Sequence, residues 1–309
     1  MATHLAAPPG VTVRHATMSD APGVAVLHVA RDAVDFGEEH EPHDVAAWWS
    51  EDQEKLAVDV WVAVEDGRTI GYAEMRRDGE TAELADESCV HPDARGRGLG
   101  THLVELGEAW ARERGLPVMR ASVINDDGRR LLRERGYELV RHFWRMEITV
   151  DEEPDVPPSP EGVELRTFRR GEDDRAVWEV IQDSFRDHWG WTPRPFERWL
   201  SARERRSDYV PELWQLAVVD GEVAGAVLPF GYRHHGWVLE LGVRDRWRGR
   251  GIGLVLLRTA FRELWRRGHT QIGLEVDAAN ETGATRLYER AGMRVTRRYD
   301  TYEGRLEEA

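Results

Sequence analysis

Residues 246–257 read RWRGRGIGLVLL, and residues 93–104 read DARGRGLGTHLV. Aligning them sets Arg95 on Arg248, Gly98 on Gly251 and Gly100 on Gly253, a constant offset of 153 residues. The match extends outward. VTVRHAT at 11–17 answers VELRTFR at 163–169, and VAVEDGRTIGYA at 62–73 answers LAVVDGEVAGAV at 216–227. Asn125 then answers Asn280 and Gly136 answers Gly292, with the offset drifting by only two or three residues. A shift this long and steady indicates tandem duplication of a whole domain, since solenoid repeats run at roughly 20–50 residues. The expected division is a domain over 1–150, a semi-stiff acidic, proline-rich linker (DEEPDVPPSPEG, 151–162) and a second domain over 163–309.

Composition agrees with two cores. A chain of 309 residues exceeds the size at which single cores stop growing. Its 41% hydrophobic content and 13 Trp can fill two of them. The single cysteine, Cys89, excludes an intrachain disulfide and a cysteine zinc cluster, and no metal is expected. Neither a signal peptide nor an apolar run long enough to span a bilayer is read, so a cytoplasmic protein is the expectation. The net charge of −15 argues against general nucleic-acid binding and mildly favours cationic partners such as amines.

Within each copy the order reads β-α-α-β-β-β-α-β-α-β, a mixed α/β (α+β layered) fold with a mostly antiparallel sheet flanked by helices. In the second copy the spacing predicts helices near 173–186, 194–206, 251–267 and 282–291. The helix from 251 shows apolar spacing at Ile252, Val255, Leu256 and Thr259, and its partner at Leu99, Leu103, Leu106 and Trp110.

The stretch WVLELGVRDRWRGRGIG (237–253) is an apolar strand, a glycine-arginine turn and a helix start. First-turn amides of a helix lack partners and carry partial positive charge. Gly249, Gly251 and Gly253 let the chain turn tightly and let an anion approach without meeting a Cβ, and Arg248 or Arg250 can add a bidentate contact. The device suits a phosphate or pyrophosphate. It is not a dinucleotide fingerprint or a P-loop, because the glycines run GxGxG after a fourth strand and Lys55, the only lysine, is far away.

R-x-x-G-x-G between a strand and a helix resembles the acetyl-coenzyme A signature of the GNAT acetyltransferases, and the element order is similar to that fold. The resemblance covers both copies. It implies acetyl-coenzyme A as cosubstrate, with backbone groups of Leu241, Gly242 and Val243 toward the pantetheine arm and acetyl carbonyl. Arg248, Arg250, Gly251 and Gly253 would then cradle the pyrophosphate, and Cys89, Val90, Arg95, Arg97, Gly98 and Gly100 would hold the matching relic or working site. A tyrosine in the late helix also fits the family, in which its hydroxyl faces the coenzyme sulfur.

An amine of pKa about 10.4 must lose a proton before it attacks. Glu240 interrupts the apolar strand WVLELGV and is the base candidate, tuned by burial. His234 and His235 compete, and adjacent residues of a strand point to opposite faces. Tyr288, on one helix face with Ala284, Leu287 and Ala291, is the acid candidate. Asn280 is expected to cap that helix and to touch pantetheine. The first copy keeps Glu87 and Asn125 but has Leu132 at the Tyr288 position, with Tyr137 a poorly placed substitute, so it is expected to do little chemistry. His188, Trp189 and Trp191, in DHWGWTPRPFERW (187–199), are the expected acceptor-binding wall. Tandem copies with the tyrosine in the second one only resemble the mycothiol synthase group, which acetylates a cysteinyl amine, although GVRDRWRGRG departs from it by lacking a Pro after the Asp. An N-acetyltransferase using direct attack on a small primary amine is the leading expectation. An acyl-coenzyme A sensor and a protein-amine acetyltransferase stay open, as does the oligomeric state, for which a monomer fits the tandem copies.

Overall fold

The computed structural model describes residues 6–37, 44–50, 52–204, 209–232, 235–280 and 282–306. Two compact units emerge, one of residues 1–142 with 299–309 and one of residues 143–298.

The first unit runs β1 (Thr12–His15), α1 (Ala21–Asp35), α2 (Val45–Ser50), β2 (Val60–Glu65), β3 (Arg68–Asp78), β4 (Thr81–Leu84), β5 (Cys89–Val90), α3 (Leu99–Glu113), β6 (Val118–Val123), α4 (Asp126–Glu134) and the start of β7 (Glu138–Thr149). The second continues with β8 (Glu164–Thr167), α5 (Asp174–Phe185), α6 (Phe196–Glu204), β9 (Gln215–Val219), β10 (Glu222–Tyr232), β11 (His235–Val243), α7 (Ile252–Trp265), β12 (Gln271–Asp277), α8 (Ala284–Arg290) and the start of β13 (Arg294–Arg305). The expected element order holds in the second copy; in the first, two short strands, β4 and β5, stand where the second has the single β11.

Local chemistry explains the hairpins. Asp66-Gly67 and Asp220-Gly221 all take positive φ, 49° and 77°, 50° and 82°. Two left-handed residues in succession are what a two-residue hairpin turn needs, and Asp-Gly supplies them at low cost. Within each unit the described strand pairs are antiparallel except for β4 with β6 and β11 with β12. One helix of each copy packs as its stripe predicts: Ile252, Val255, Leu256 and Thr259 are buried along α7, and Leu99, Leu103 and Trp110 along α3.

The units do not coincide with the expected halves. Residues 300–305 of β13 pair with β6 in the first unit, from Asp300 opposite Val123 to Arg305 opposite Val118. Residues 143–149 of β7 pair with β12 in the second, from Phe143 opposite Asp277 to Thr149 opposite Gln271. The last strand of each copy thus completes a sheet built by the other, which moves the division from the linker to residues 142 and 298.

Candidate active site

In the second unit β11 and β12 are hydrogen-bonded over three residue pairs only, His235–Gln271, Gly236–Ile272 and Trp237–Gly273. Beyond them β12 continues against β7 and β11 against β10. The neighbouring parallel strands part, leaving backbone donors and acceptors along β11 without a strand partner. Within β11 the register passes from Pro229–Val238 to Leu228–Glu240, so Leu239 is an extra, bulged residue, 41% exposed. A bulge re-aims the side chains beyond it. Gly236 faces Leu264 of α7, and strict alternation would turn Gly242 the same way; instead Gly242 faces Ser184 and Ile181 of α5. Glu240, two residues earlier, turns with it. The first unit opens similarly, with β4 pairing β6 and β5 pairing only β3.

The glycine turn follows. Gly249 and Gly251 take φ of 75° and 86°, matched by Gly96 and Gly98 at 72° and 84°. Gly251 is the N-cap of α7 and no side chain caps that turn, so its first amides remain for another acceptor. Gly253 has a reason besides the expected anion approach: a Cβ there would lie 3.1 Å from Leu287 Cδ2. Gly100 stands at the same 3.1 Å from Leu131 Cδ1. Both permit close packing of the two helices.

The arginines divide. Arg248 Nε donates to the Val243 carbonyl at 2.9 Å, its Nη2 to the Ser184 carbonyl at 3.3 Å, and its Nη1 pairs with Asp245 at 2.8 Å. Arg95 likewise reaches the Val90 carbonyl and grips Asp35 at 2.8 and 2.7 Å. These first arginines buckle the strand end to the first helix of their unit. Arg97 is paired with Glu65. Arg250 donates to the backbone carbonyl of Glu161 at 3.2 Å and has no carboxylate partner among the described residues.

The Gly253–Leu287 and Gly100–Leu131 contacts make Tyr288 and Leu132 equivalent. Tyr288 is buried, its hydroxyl has no hydrogen-bond partner among the described residues, and burial pushes its pKa up to about 12. Tyr137 instead donates to Glu108 at 3.3 Å, and burial raises it too. Glu240 is ion-paired: its Oε2 accepts from Nη2 of Arg203, a residue of α6 that the sequence reading missed. The signal available was Trp199 four residues earlier, over which the guanidinium stacks at 3.9 Å. His235 lies at the far end of β11, opposite Tyr232, and His234 is outside the described residues.

His188 is drawn to the ends of the parted strands. Its Nε2 is 3.4 Å from Asn280 Nδ2, and its pKa is lowered by burial, with Asp277 opposing and Arg248 adding. Trp189 is half-buried with its ring 6.3 Å from that of Phe143, and the Trp191 amide donates to the His188 carbonyl at 3.1 Å. Asn280 does not cap α8, whose N-cap is Gly283; its Oδ1 accepts from the Thr282 amide at 2.8 Å. Asn125 does cap α4, taking the Gly128 amide at 2.9 Å, and its Nδ2 lies 3.3 Å from Asp35. Asp35 therefore stands where His188 does, 153 residues apart. Cys89 opposes Tyr72 as Gly242 opposes Ala226, so the first unit has a side chain where the second has none. Burial pushes the Cys89 thiol up to about 12.

Parted parallel strands leading into a left-handed glycine turn and a helix, written twice, define a tandem acetyltransferase fold. The sequence model of the "Acetyltransferase (GNAT) family" matches residues 24–137 and 175–293, and the chain belongs to that family and is an acyltransferase. It is 31% identical over 256 residues to a protein named mycothiol acetyltransferase from Acidothermus cellulolyticus, covering 76% of each chain. A protein of the same name from Thermobispora bispora is 34% identical over 222 residues, 67% of this chain and 71% of that one. A crystal structure of a GCN5-related N-acetyltransferase from Sphaerobacter thermophilus superposes with a TM-score of 0.86 at 35% identity, covering 98% of both chains. A tandem GNAT protein from the clavulanic acid biosynthesis pathway shares the fold, with a TM-score of 0.74 at 18% identity over 97% of this chain and 99% of that one.

Proposed function

We propose that the second unit moves the acetyl group of acetyl-coenzyme A to a primary amine of a small molecule, and that the first unit has lost the chemistry. The observation that carries this is the inequality of two matched sites: Tyr288 against Leu132, and Arg250 without a carboxylate partner among the described residues against Arg97 paired with Glu65. The second unit fits the coenzyme, because Gly251 exposes uncapped amides and Arg250 keeps charge for a diphosphate. Leu241, Gly242 and Val243 offer the unpaired strand edge to the pantetheine arm. The coenzyme supplies an activated thioester. Glu240, holding Arg203 with one oxygen, takes the amine proton with the other, directly or through a water. Tyr288, neutral at physiological pH, donates to the departing sulfur. The only cysteine, Cys89, belongs to the first unit, so the second offers no thiol to carry the acetyl group, and direct attack within a ternary complex follows.

Relatives named mycothiol acetyltransferase support the mycothiol precursor as acceptor. In this reading the His188–Trp191 turn borders it, supported by His188 lying 3.4 Å from Asn280. The test is thiol release from acetyl-coenzyme A over a panel of amines including the mycothiol precursor, aminoglycosides and polyamines. Turnover is expected with at least one, abolished by Gly251→Glu and retained by Gly98→Glu. Loss with the second substitution alone reverses the assignment of units. Tight coenzyme binding with no turnover on any amine supports a sensor instead.

A further inference from the structure

The Glu240 pairing goes further than the base assignment on which it rests. Arg203 is 6% exposed and held on three sides. Its Nη1 donates to the Trp199 carbonyl at 3.1 Å, its guanidinium lies over the Trp199 indole at 3.9 Å, and its Nη2 meets Glu240 Oε2. Trp199 is itself 1% exposed and in the core, so this arginine has little freedom to move. Glu240 reaches it only because the bulge at Leu239 turns the strand's later side chains toward α5 and α6. Oε1 of Glu240 has no hydrogen-bond partner among the described residues. One oxygen is anchored and the other is left for a proton.

The first unit lacks this arrangement. Glu87, at the matched position, meets Arg76 of β3 at 3.5 Å, and that guanidinium is shared with Glu74 at 2.9 Å. Residue 50, at the Arg203 offset, is Ser50. We propose that Arg203 is the positioning residue of acetyl transfer, fixing the Glu240 carboxylate so that its second oxygen faces the acceptor amine.

The test combines Arg203→Met, Arg203→Lys, Glu240→Gln and the Arg203→Met/Glu240→Gln double variant in the full chain, assayed on the best amine of the panel. Arg203→Met is expected to lower kcat about ten- to a hundred-fold, with KM for both substrates within about two-fold. Lysine at 203 should restore part of the loss. In the Glu240→Gln background the Met change should cost less than about two-fold, because the group it orients is already gone. Multiplicative losses in the double variant, or an unchanged kcat in Arg203→Met, overturn the proposal. Should Arg203→Met fail to fold, Arg203→Lys decides: a kcat loss that disappears when Glu240→Gln is also present supports positioning, and one that persists overturns it. A Glu240→Gln enzyme with wild-type kcat overturns the base assignment itself, separately.

Discussion

Tyr288 shows what burial does to one group. A phenol ordinarily titrates near 10, and burial moves this one to about 12. Raised above its unfolded value, it is protonated, and able to donate, at every pH up to about 11. Tyr288→Phe is therefore expected to lower kcat about ten- to a hundred-fold, by a factor that stays constant from pH 7 to 10. Paired pH–rate profiles check this. A factor that falls to about half its neutral-pH value by pH 10 would mean the hydroxyl is solvated and titrates as a free tyrosine. Its place was legible from the helical spacing of Ala284, Leu287, Tyr288 and Ala291; the absence of a hydrogen-bond partner among the described residues was not, since it depends on what the fold brings near. Glu240 shows the reverse: its place on the strand was readable, but its partner is 37 residues away on another element.

Among elements, the glycines of one short turn separate into two jobs. Gly251 needs its left-handed φ of 86°, which costs an alanine about 1–2 kcal/mol. Gly251→Ala should lower the melting temperature and weaken coenzyme binding, as read by calorimetry, because the amides it presents are misaimed. Gly253 is helical, and a methyl there meets Leu287 at 3.1 Å. Gly253→Ala should displace α8, and with it Tyr288, reducing kcat more than coenzyme affinity. If both variants lost affinity alike, Gly253 would belong to the anion site as the bare sequence pattern suggested. The pattern R-x-x-G-x-G gave the turn and both helices, because backbone sign and apolar spacing are local properties. It could not distinguish a glycine that turns from one that packs. Alternation likewise misassigns Glu240 and Gly242, since one extra residue at Leu239 flips every side chain after it.

For the whole molecule, duplication was readable from the constant offset, while the exchange of final strands was not, because strand pairing leaves no trace in the order of residues. The exchange gives a prediction that contradicts a cut at the linker. Removing residues 299–309 deletes the strand paired with β6, the ion pairs Arg120–Glu303 at 2.9 Å and Arg129–Asp300 at 2.5 Å, and the buried side chains of Tyr302 and Leu306. Tyr302 is 0% exposed and packs with Tyr137, Leu132 and Met119, all of the first unit. Losing one large buried side chain typically costs about 3–5 kcal/mol, a large share of the roughly 5–15 kcal/mol that holds a domain folded. The truncated chain should therefore show a lowered first melting transition, and limited proteolysis should release peptides from residues 6–142 before those from 150–298. Were the halves independent at the linker, the same cut would instead expose peptides of 163–298 and leave the first 150 residues protected. Mass spectrometry of the earliest fragments distinguishes the two, since a deletion at the C-terminus that first unravels the N-terminal sequence has no explanation except a strand lent across the duplication.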